Sequence, residues 1–512
     1  MSADAGVLRR WLAASVAALA QERAHLDAIN VFPIADSDTG TNMWLTLADG
    51  LQLVADLPAD ADDDRVCRAF ARGALLGARG NSGVVVSQYL SGFLEAVTAG
   101  GGPSRLDGAA LARCFAAASA AAYNALAAPV EGTMITVAAE AARAAGDAAS
   151  ADAKPADVAL AAAGAAREAV GRTAQQLEAA RQAGVVDAGA LGLSLILDAM
   201  VEVLVGAEAL ASLPERVEPA AVRDGERPRV HHEHRGGGIY EVMFVSGNTD
   251  PDGSTADDAP GTGWGELAAQ LAAIGDSVAV TGIRGLVQAH VHTDHPDDAV
   301  EIADTLGSSQ ILVRNIVAAH ERPAHLPGVV ALTRSPGIAA ALSDTGAVVV
   351  VIPALAGLTQ RELLRAVRDA SGTKVVVVSG DPELRAAASR IAEGSADPEV
   401  EVLRVQHEAQ MVAAVAASAL AGEDEDLADV MTAAAEACVP ATSTGDALDE
   451  DVDRLLTPDT ELVTLILPEG MPTSVADAVR LSATAVCPRA EVQVFEGRHT
   501  QAGIFIGVER SA

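Results

Sequence analysis

The stretch Asp27-Ala-Ile-Asn-Val-Phe-Pro-Ile-Ala-Asp36-Ser-Asp38-Thr-Gly-Thr-Asn-Met43 sets two carboxylates one residue apart, with a glycine two residues after the second. Carboxylates at i and i+2 of a loop can converge on one hard cation. Magnesium takes oxygen ligands and leaves room for phosphate oxygens, and Gly40 permits the tight turn that such convergence needs. Asp36 and Asp38 are therefore candidate metal ligands. The same residues also read as a solvated acidic turn that caps the next helix through Thr39 or Thr41. A calcium hand starting at Asp36 would need an acid at its twelfth position, which is Leu47. A phosphatase nucleophile would follow a buried strand, a role that Pro33 opposes.

Working outward, the pattern is helical on both sides. From Val7 to about Leu210, long alanine-rich segments carry helical spacing, broken at Pro33, around Gly80, at 100–103, at Pro129 and at 184–192. Residues 1–210 are thus predicted to be an all-helical domain. Residues 211–238 mix Pro, Arg, Glu and His without a period and read as a linker. Within 239–327 the runs at 239–246, 264–274, 278–293, 296–306 and 311–317 give the order β-α-β-β-α-β, which predicts a small α+β domain of the split βαβ kind. In 328–512, apolar runs at 329–333, 347–352, 374–379, 400–405, 462–467 and 491–495 alternate with helices, which predicts an open, largely parallel α/β sheet. The fold class is multidomain, α followed by α/β.

Composition limits the partners. Over 512 residues, 70 acids against 35 bases leave a formal charge of −35, a field that repels phosphate backbones and anionic lipid. No nucleic acid is expected. The only lysines are Lys154 and Lys374, so an anionic ligand must be held by arginine, backbone amides, helix N-termini or a metal ion. Cys67, Cys114, Cys438 and Cys487 form no CxxC pair, which fits a reducing compartment. The apolar run near the N-terminus is too short to span a membrane. A cytoplasmic protein is the expectation.

Three further interruptions carry chemistry. Gly77-Ala-Arg-Gly-Asn-Ser-Gly83 feeds an apolar helix, so its backbone amides can meet phosphate at a helix N-terminus, and Ser82 adds a hydroxyl. It is not a P-loop, since no GxxxxGK[ST] occurs in the chain. Arg79 could serve phosphate or be a surface charge. Pro129-Val-Glu-Gly-Thr-Met134 and Gly184-Val-Val-Asp-Ala-Gly-Ala-Leu-Gly192 are polar, glycine-containing loops between helices. In the middle segment, alternation puts His290 and His292 on one face of a strand, as metal ligands or an acid/base pair require, or as two polar residues of a solvated sheet face.

Taken in order, the four loops at 30–43, 77–88, 129–137 and 184–192 resemble those of the dihydroxyacetone kinase L-subunit (DhaL) superfamily, and more closely the ATP-binding subunit of fatty acid kinase (FakA-like). The resemblance implies an antiparallel helical barrel with ATP and magnesium at one end. Asp36 and Asp38 match the family's catalytic metal-binding aspartates, with Asp27 as a third candidate ligand. Thr39, Thr41, Asn42, Gly80, Asn81, Ser82, Gly83, Gly132, Thr133, Asp187 and Gly189 fall on its nucleotide-site motifs. It further implies a DegV-like C-terminal domain and a separate fatty-acid-binding partner (DegV/FakB-like) whose bound carboxylate receives the γ-phosphate; a homodimer is compatible with it. The family's middle domain carries an H-x-H pair that can hold zinc with a cysteine of the first strand. Tyr240 at the matching position leaves zinc an open alternative here. Ser37 replaces the family's usual glycine, Ala35 its proline and Ala190 its second glycine. Two other readings stand beside the kinase of fatty acids: a dihydroxyacetone-type (glycerone) kinase subunit, and a nucleotide-binding scaffold with little turnover.

Overall fold

A computed structural model of the chain describes residues 6–32, 37–216, 238–247, 264–283, 285–322, 326–353, 356–370, 372, 374–394, 398–422 and 425–511. Asp36, Ala35, Pro33 and most of the linker lie outside the described residues. By contact, the chain divides into two units. The first comprises Met1–Gly236, Asp250–Ala272 and Ser277–His290; the second comprises Gly237–Thr249, Ala273–Asp276 and Val291–Ala512.

The first unit is built on helices α1 (Val7–Ala28), α2 (Thr39–Ala55), α3 (Asp63–Leu76), α4 (Gly80–Ala99), α5 (Gly108–Asn124), α6 (Met134–Ser150), α7 (Pro155–Gln176), α8 (Glu178–Ala183), α9 (Ala188–Leu204) and α10 (Ala207–Ala211). Alanine forms helix at little entropic cost and lets helices approach closely. The starts are marked by local chemistry: Asp62 and Asp107 accept the amides of Arg65 and Ala110, and Pro155 opens α7. Each helix from α1 to α7 packs on the next, α7 packs on α9, and α9 returns to α1, so the ring closes. The expected antiparallel barrel is what forms. Inside it, Trp11, Phe93 and Phe115 stack with centroids 5.1 and 5.4 Å apart, and Trp11 donates Nε1–H to the Ile196 carbonyl at 3.1 Å. No described helix is long and apolar enough to cross a membrane.

Next come β1 (Tyr240–Gly247), α11 (Trp264–Ile274), β2 (Gly275–Ile283), β3 (Leu286–Thr293), α12 (Pro296–Thr305), β4 (Ser309–Asn315) and α13 (Ile316–Glu321). The expected β-α-β-β-α-β order is present, and β3 lies between β1 and β2 as the split unit requires. After them run β5 (Gly328–Thr333), α14 (Ala339–Ser343), β6 (Val348–Val351), α15 (Gln360–Asp369), β7 (Lys374–Val378), α16 (Pro382–Ala392), β8 (Glu399–Val402), α17 (Glu408–Ser418), α18 (Leu427–Ala437), β9 (Val439–Ser443), α19 (Leu448–Leu455), β10 (Thr460–Pro468), α20 (Ala476–Val486), β11 (Glu491–His499) and β12 (Ile504–Arg510).

Here the structure corrects the sequence reading. There is no single open sheet after residue 328. β5, β6, β7 and β8 are parallel, but β6 also pairs antiparallel with β4, giving one eight-stranded sheet ordered β2-β3-β1-β4-β6-β5-β7-β8. The last strands form a second sheet, β11-β10-β12-β9, parallel only between β10 and β11. The reason is two antiparallel strands whose local signal is weak: β9 holds Pro440 with the polar Thr442 and Ser443, and β12 follows a Gly503 turn at φ 95°.

Candidate functional site

In an up-and-down ring, alternate loops share one end. Counting from α1, the loops entering α2, α4, α6 and α9 are on the same side, and these are the four loops singled out from the sequence. Four helix N-termini therefore gather there, each with amides that the helix leaves unpaired and a positive dipole end.

The first loop is held by the last turn of α1. Asp27 accepts the Thr41 amide (2.9 Å) and the Thr41 hydroxyl (2.7 Å). Burial pushes its carboxyl above the usual range against those hydrogen bonds, and the neighbouring Asp38 charge adds to the rise. Two carboxylates are thus crowded beside the start of α2, where Asp38 is the N-cap position but does not cap the helix. The capping reading through Thr41 is replaced: that hydroxyl donates to Asp27. Ser37 has φ 56°, the left-handed conformation that glycine adopts freely. Gly40 is dictated by contact, because a Cβ there would stand 2.4 Å from the Arg23 carbonyl oxygen and 2.7 Å from Leu26 Cβ. Thr39 and Asn42 are buried on the same turn.

The second loop bonds to the first. Thr46 donates to the Asn42 carbonyl (2.6 Å) and accepts the Arg79 amide (3.2 Å). Arg79 is neither a phosphate ligand nor a surface charge. Its side chain is 3% exposed, with Nη1 bonded to Asp49 Oδ2 at 2.8 Å and to the Gly77 carbonyl at 2.6 Å. Gly80 opens α4 at φ 55°, and a Cβ on Gly83 would meet Thr46 Oγ1 at 2.5 Å. Asn81 and Ser82 are half-buried on this turn, and Asn81 Oδ1 is buried with no hydrogen-bond partner among the described residues. An orphaned carbonyl oxygen at a helix N-terminus is an acceptor in want of a cation or a donor.

The third and fourth loops interlock. Gly132 (φ 81°) donates to Thr136 Oγ1 at 2.8 Å, and the Thr133 hydroxyl donates to the Val130 carbonyl at 2.7 Å. Asp187 caps α9 by accepting the Ala190 amide at 2.7 Å, and it also accepts the Met134 amide at the start of α6. Burial raises its carboxyl to about 6. Gly189 lies against Met134, and a Cβ on Gly192 would stand 2.6 Å from Met43 Sδ, which closes the circuit to the first loop.

The middle segment holds a second cluster. Glu241, His290 and His292, all buried, offer ligand atoms that lie within 4.8 Å of one another. His290 Nδ1 faces the Ser277 carbonyl at 3.1 Å, which directs Nε2 to the cluster, the arrangement common in metal-ligating histidines. The first-strand residue at this site is not Tyr240. A shift of one residue along a strand reverses the face: Tyr240 donates its hydroxyl to Asp344 at 2.8 Å, while Glu241 turns to the histidines and also meets Arg314 at 2.7 Å. Sequence reasoning missed Glu241, although a lone acid in the apolar run of β1 was a signal for it. His231, His232 and His234 lie outside the described residues.

With the geometry in place, comparison with known proteins adds lineage. A DAK2 domain matches residues 33–202, the middle domain of the FakA-like fatty acid kinase family residues 240–322, and the C-terminal domain of the same family residues 328–446. Uncharacterized proteins of Staphylococcus aureus strains USA300 and MRSA252 are each 31% identical over 273 residues, 53% of this chain and 48% of theirs. The chain thus spans about half the length of the curated relatives it matches. The crystal structure of the dihydroxyacetone kinase from C. freundii in complex with AMP-PNP and Mg2+ is 20% identical with a TM-score of 0.30, over 40% of this chain and 34% of that one, a likeness too loose to argue from. Three consecutive domain matches in the same order place the chain in the FakA-like family of fatty acid kinases.

Proposed function

We propose that this chain is the ATP-binding subunit of a magnesium-dependent kinase that phosphorylates the carboxylate of a fatty acid presented by a separate lipid-binding protein of the DegV/FakB kind. The observation that carries the reading is the gathering of four loops, each at a helix N-terminus, at one end of the barrel, with the carboxylates of Asp27 and Asp38 and the orphaned Asn81 oxygen among them. Such a site suits a polyanion with its cation: amides face phosphate, and carboxylates crowded at the cost of a raised pKa are relieved by a divalent metal. Asp38, with Asp36, would hold magnesium, and Asp27 sets the position of Thr41 beside it. Magnesium, when bound, neutralises charge on the transferred phosphoryl group. Asn81, Ser82 and the Gly80–Gly83 turn orient the phosphates, while Asp187 and Thr133 fix the opposite wall. The acceptor carboxylate is ionised near neutral pH, so attack on the γ-phosphorus needs no general base. The new bond joins a carboxylate oxygen to phosphorus, ADP leaves, and an acyl phosphate results.

Glu241, His290 and His292 we read as a separate divalent-metal site, with a carboxylate in the cysteine's place. The C-terminal region we read as DegV-like and as the dock for the partner. The test is trapping of acyl phosphate with hydroxylamine from the chain, magnesium-ATP and a fatty-acid-loaded partner, set against dihydroxyacetone as acceptor. Asp38→Ala is expected to abolish turnover with the melting temperature little changed. Phosphorylation of dihydroxyacetone alone would replace the fatty acid reading, and nucleotide binding without turnover on either acceptor would favour the scaffold.

A further inference from the structure

The β2–β3 hairpin belongs by contact to the helical unit, and it touches two of the four loops. On the β2 side, Val278 accepts the Ala127 amide at 3.2 Å and Ala279 bridges Leu126, both just ahead of the 129–134 loop. Ala279 also packs with Ala78, Val84, Ala125 and Leu126 in a small buried apolar cluster. On the β3 side, Gln288 donates Nε2–H to the Ala78 carbonyl at 2.8 Å across 210 residues of sequence.

Gln288 is fully buried, and its Oε1 has no hydrogen-bond partner among the described residues. Burying half an amide unpaired is costly, and a methionine or leucine would fill the space without that cost. What the amide supplies is its bond to Ala78. That carbonyl belongs to the peptide unit whose N–H is Arg79's, and the Arg79 N–H is bonded to Thr46 Oγ1 at 3.2 Å. One peptide plane is therefore gripped at both ends, by Thr46 from α2 and by Gln288 from the hairpin. It is the plane that leads through Arg79 (φ −128°, ψ 135°) into Gly80 at φ 55° and so aims the first amides of α4.

We infer that Gln288 is a positioning residue of the nucleotide site: the hairpin is a brace for the phosphate-facing turn, and the middle segment is thereby part of the ATP-binding apparatus. This rests on the reading of the four loops as a nucleotide site. Loss of the brace frees the peptide plane to rotate, which spreads the turn amides over orientations that phosphate does not select and weakens nucleotide binding.

The test uses the full chain with Gln288→Met, which keeps the volume and removes the donor, and Gln288→Glu, a second near-isostere should the first fail to fold. Hydrogen exchange of the amides at 79–84 is followed by mass spectrometry without nucleotide, and magnesium-ATP affinity is measured by calorimetry. Exchange at the turn is expected to quicken, with peptides of α7 unchanged, and the dissociation constant to rise about tenfold, the equivalent of one hydrogen bond. Unchanged exchange at 79–84 overturns the brace, as does a lower melting temperature with unaltered ATP affinity. Failure of the wild-type chain to bind magnesium-ATP would instead fell the functional reading, and the exchange measurement would still decide whether Gln288 holds the turn.

Discussion

At the scale of the residue, backbone strain and buried charge define the candidate site. Ser37 holds a left-handed φ of 56° at the turn between Asp36 and Asp38, a conformation that costs a residue with a Cβ about 1 kcal/mol. Ser37→Gly is therefore expected to raise stability by up to about 1 kcal/mol, read as a higher urea midpoint at constant slope; a lower midpoint would mean that the serine side chain contributes more than the strain removes. Asp187 makes a pH prediction. Its folded carboxyl titrates near 6 against 3.8 unfolded, so the folded state binds more protons between these values. The corresponding stability is complete below the unfolded value and is lost as pH rises through about 6. Asn at this position keeps a capping oxygen and does not titrate. Relative to wild type, Asp187→Asn should thus gain stability as pH is raised across that window, and parallel pH–stability curves would contradict it.

At the scale of the element, glycines set how closely the helices approach, and strand alternation sets which side chains meet. Gly40 lets α2 start against the backbone of α1, and its missing Cβ would lie 2.4 Å from a carbonyl oxygen that cannot give way. Gly40→Ala is expected to cost about 1–3 kcal/mol by overpacking and to displace Thr41 from Asp27. Unchanged thermal stability together with unchanged magnesium-ATP affinity would show that the two helices are not so tightly apposed. In the middle segment, the three-residue cluster predicts about one equivalent of divalent metal per chain by elemental analysis, lost in His292→Ala and in Glu241→Ala but kept in Tyr240→Phe. Retention in the Glu241 variant would return the question of the third ligand to another residue.

At the scale of the molecule, the barrel has a complete core of its own, its buried apolar residues running from Leu8 to Val201. A fragment of residues 1–216 is therefore expected to fold. It would, however, leave Ala78, Val84, Ala125 and Leu126 without the hairpin residue Ala279 and the Ala78 carbonyl without Gln288. Its magnesium-ATP affinity should fall below that of the full chain by about tenfold, and it should fail to phosphorylate a partner-bound fatty acid. Equal affinity in calorimetry would make the barrel self-sufficient.

The sequence by itself determined the helical barrel, the β-α-β-β-α-β order, and the four loops with their glycines. Helical period, strand alternation and the need for positive φ or close approach are local properties, written in residues a few positions apart. Antiparallel connection then carried alternate loops to one end without further information. Only the tertiary structure decided what depends on partners distant in the chain. Arg79 was left as phosphate ligand or surface charge until Asp49, 30 residues away, was seen to bind it. Glu241 rather than Tyr240 faces the histidines, because a strand's face is fixed by the register of its neighbours. The junction of β4 with β6, and the antiparallel strands β9 and β12, arise from pairings that no local pattern encodes. The contact of Gln288 with Ala78 spans 210 residues, and a lone polar residue in a strand does not announce which carbonyl it will meet.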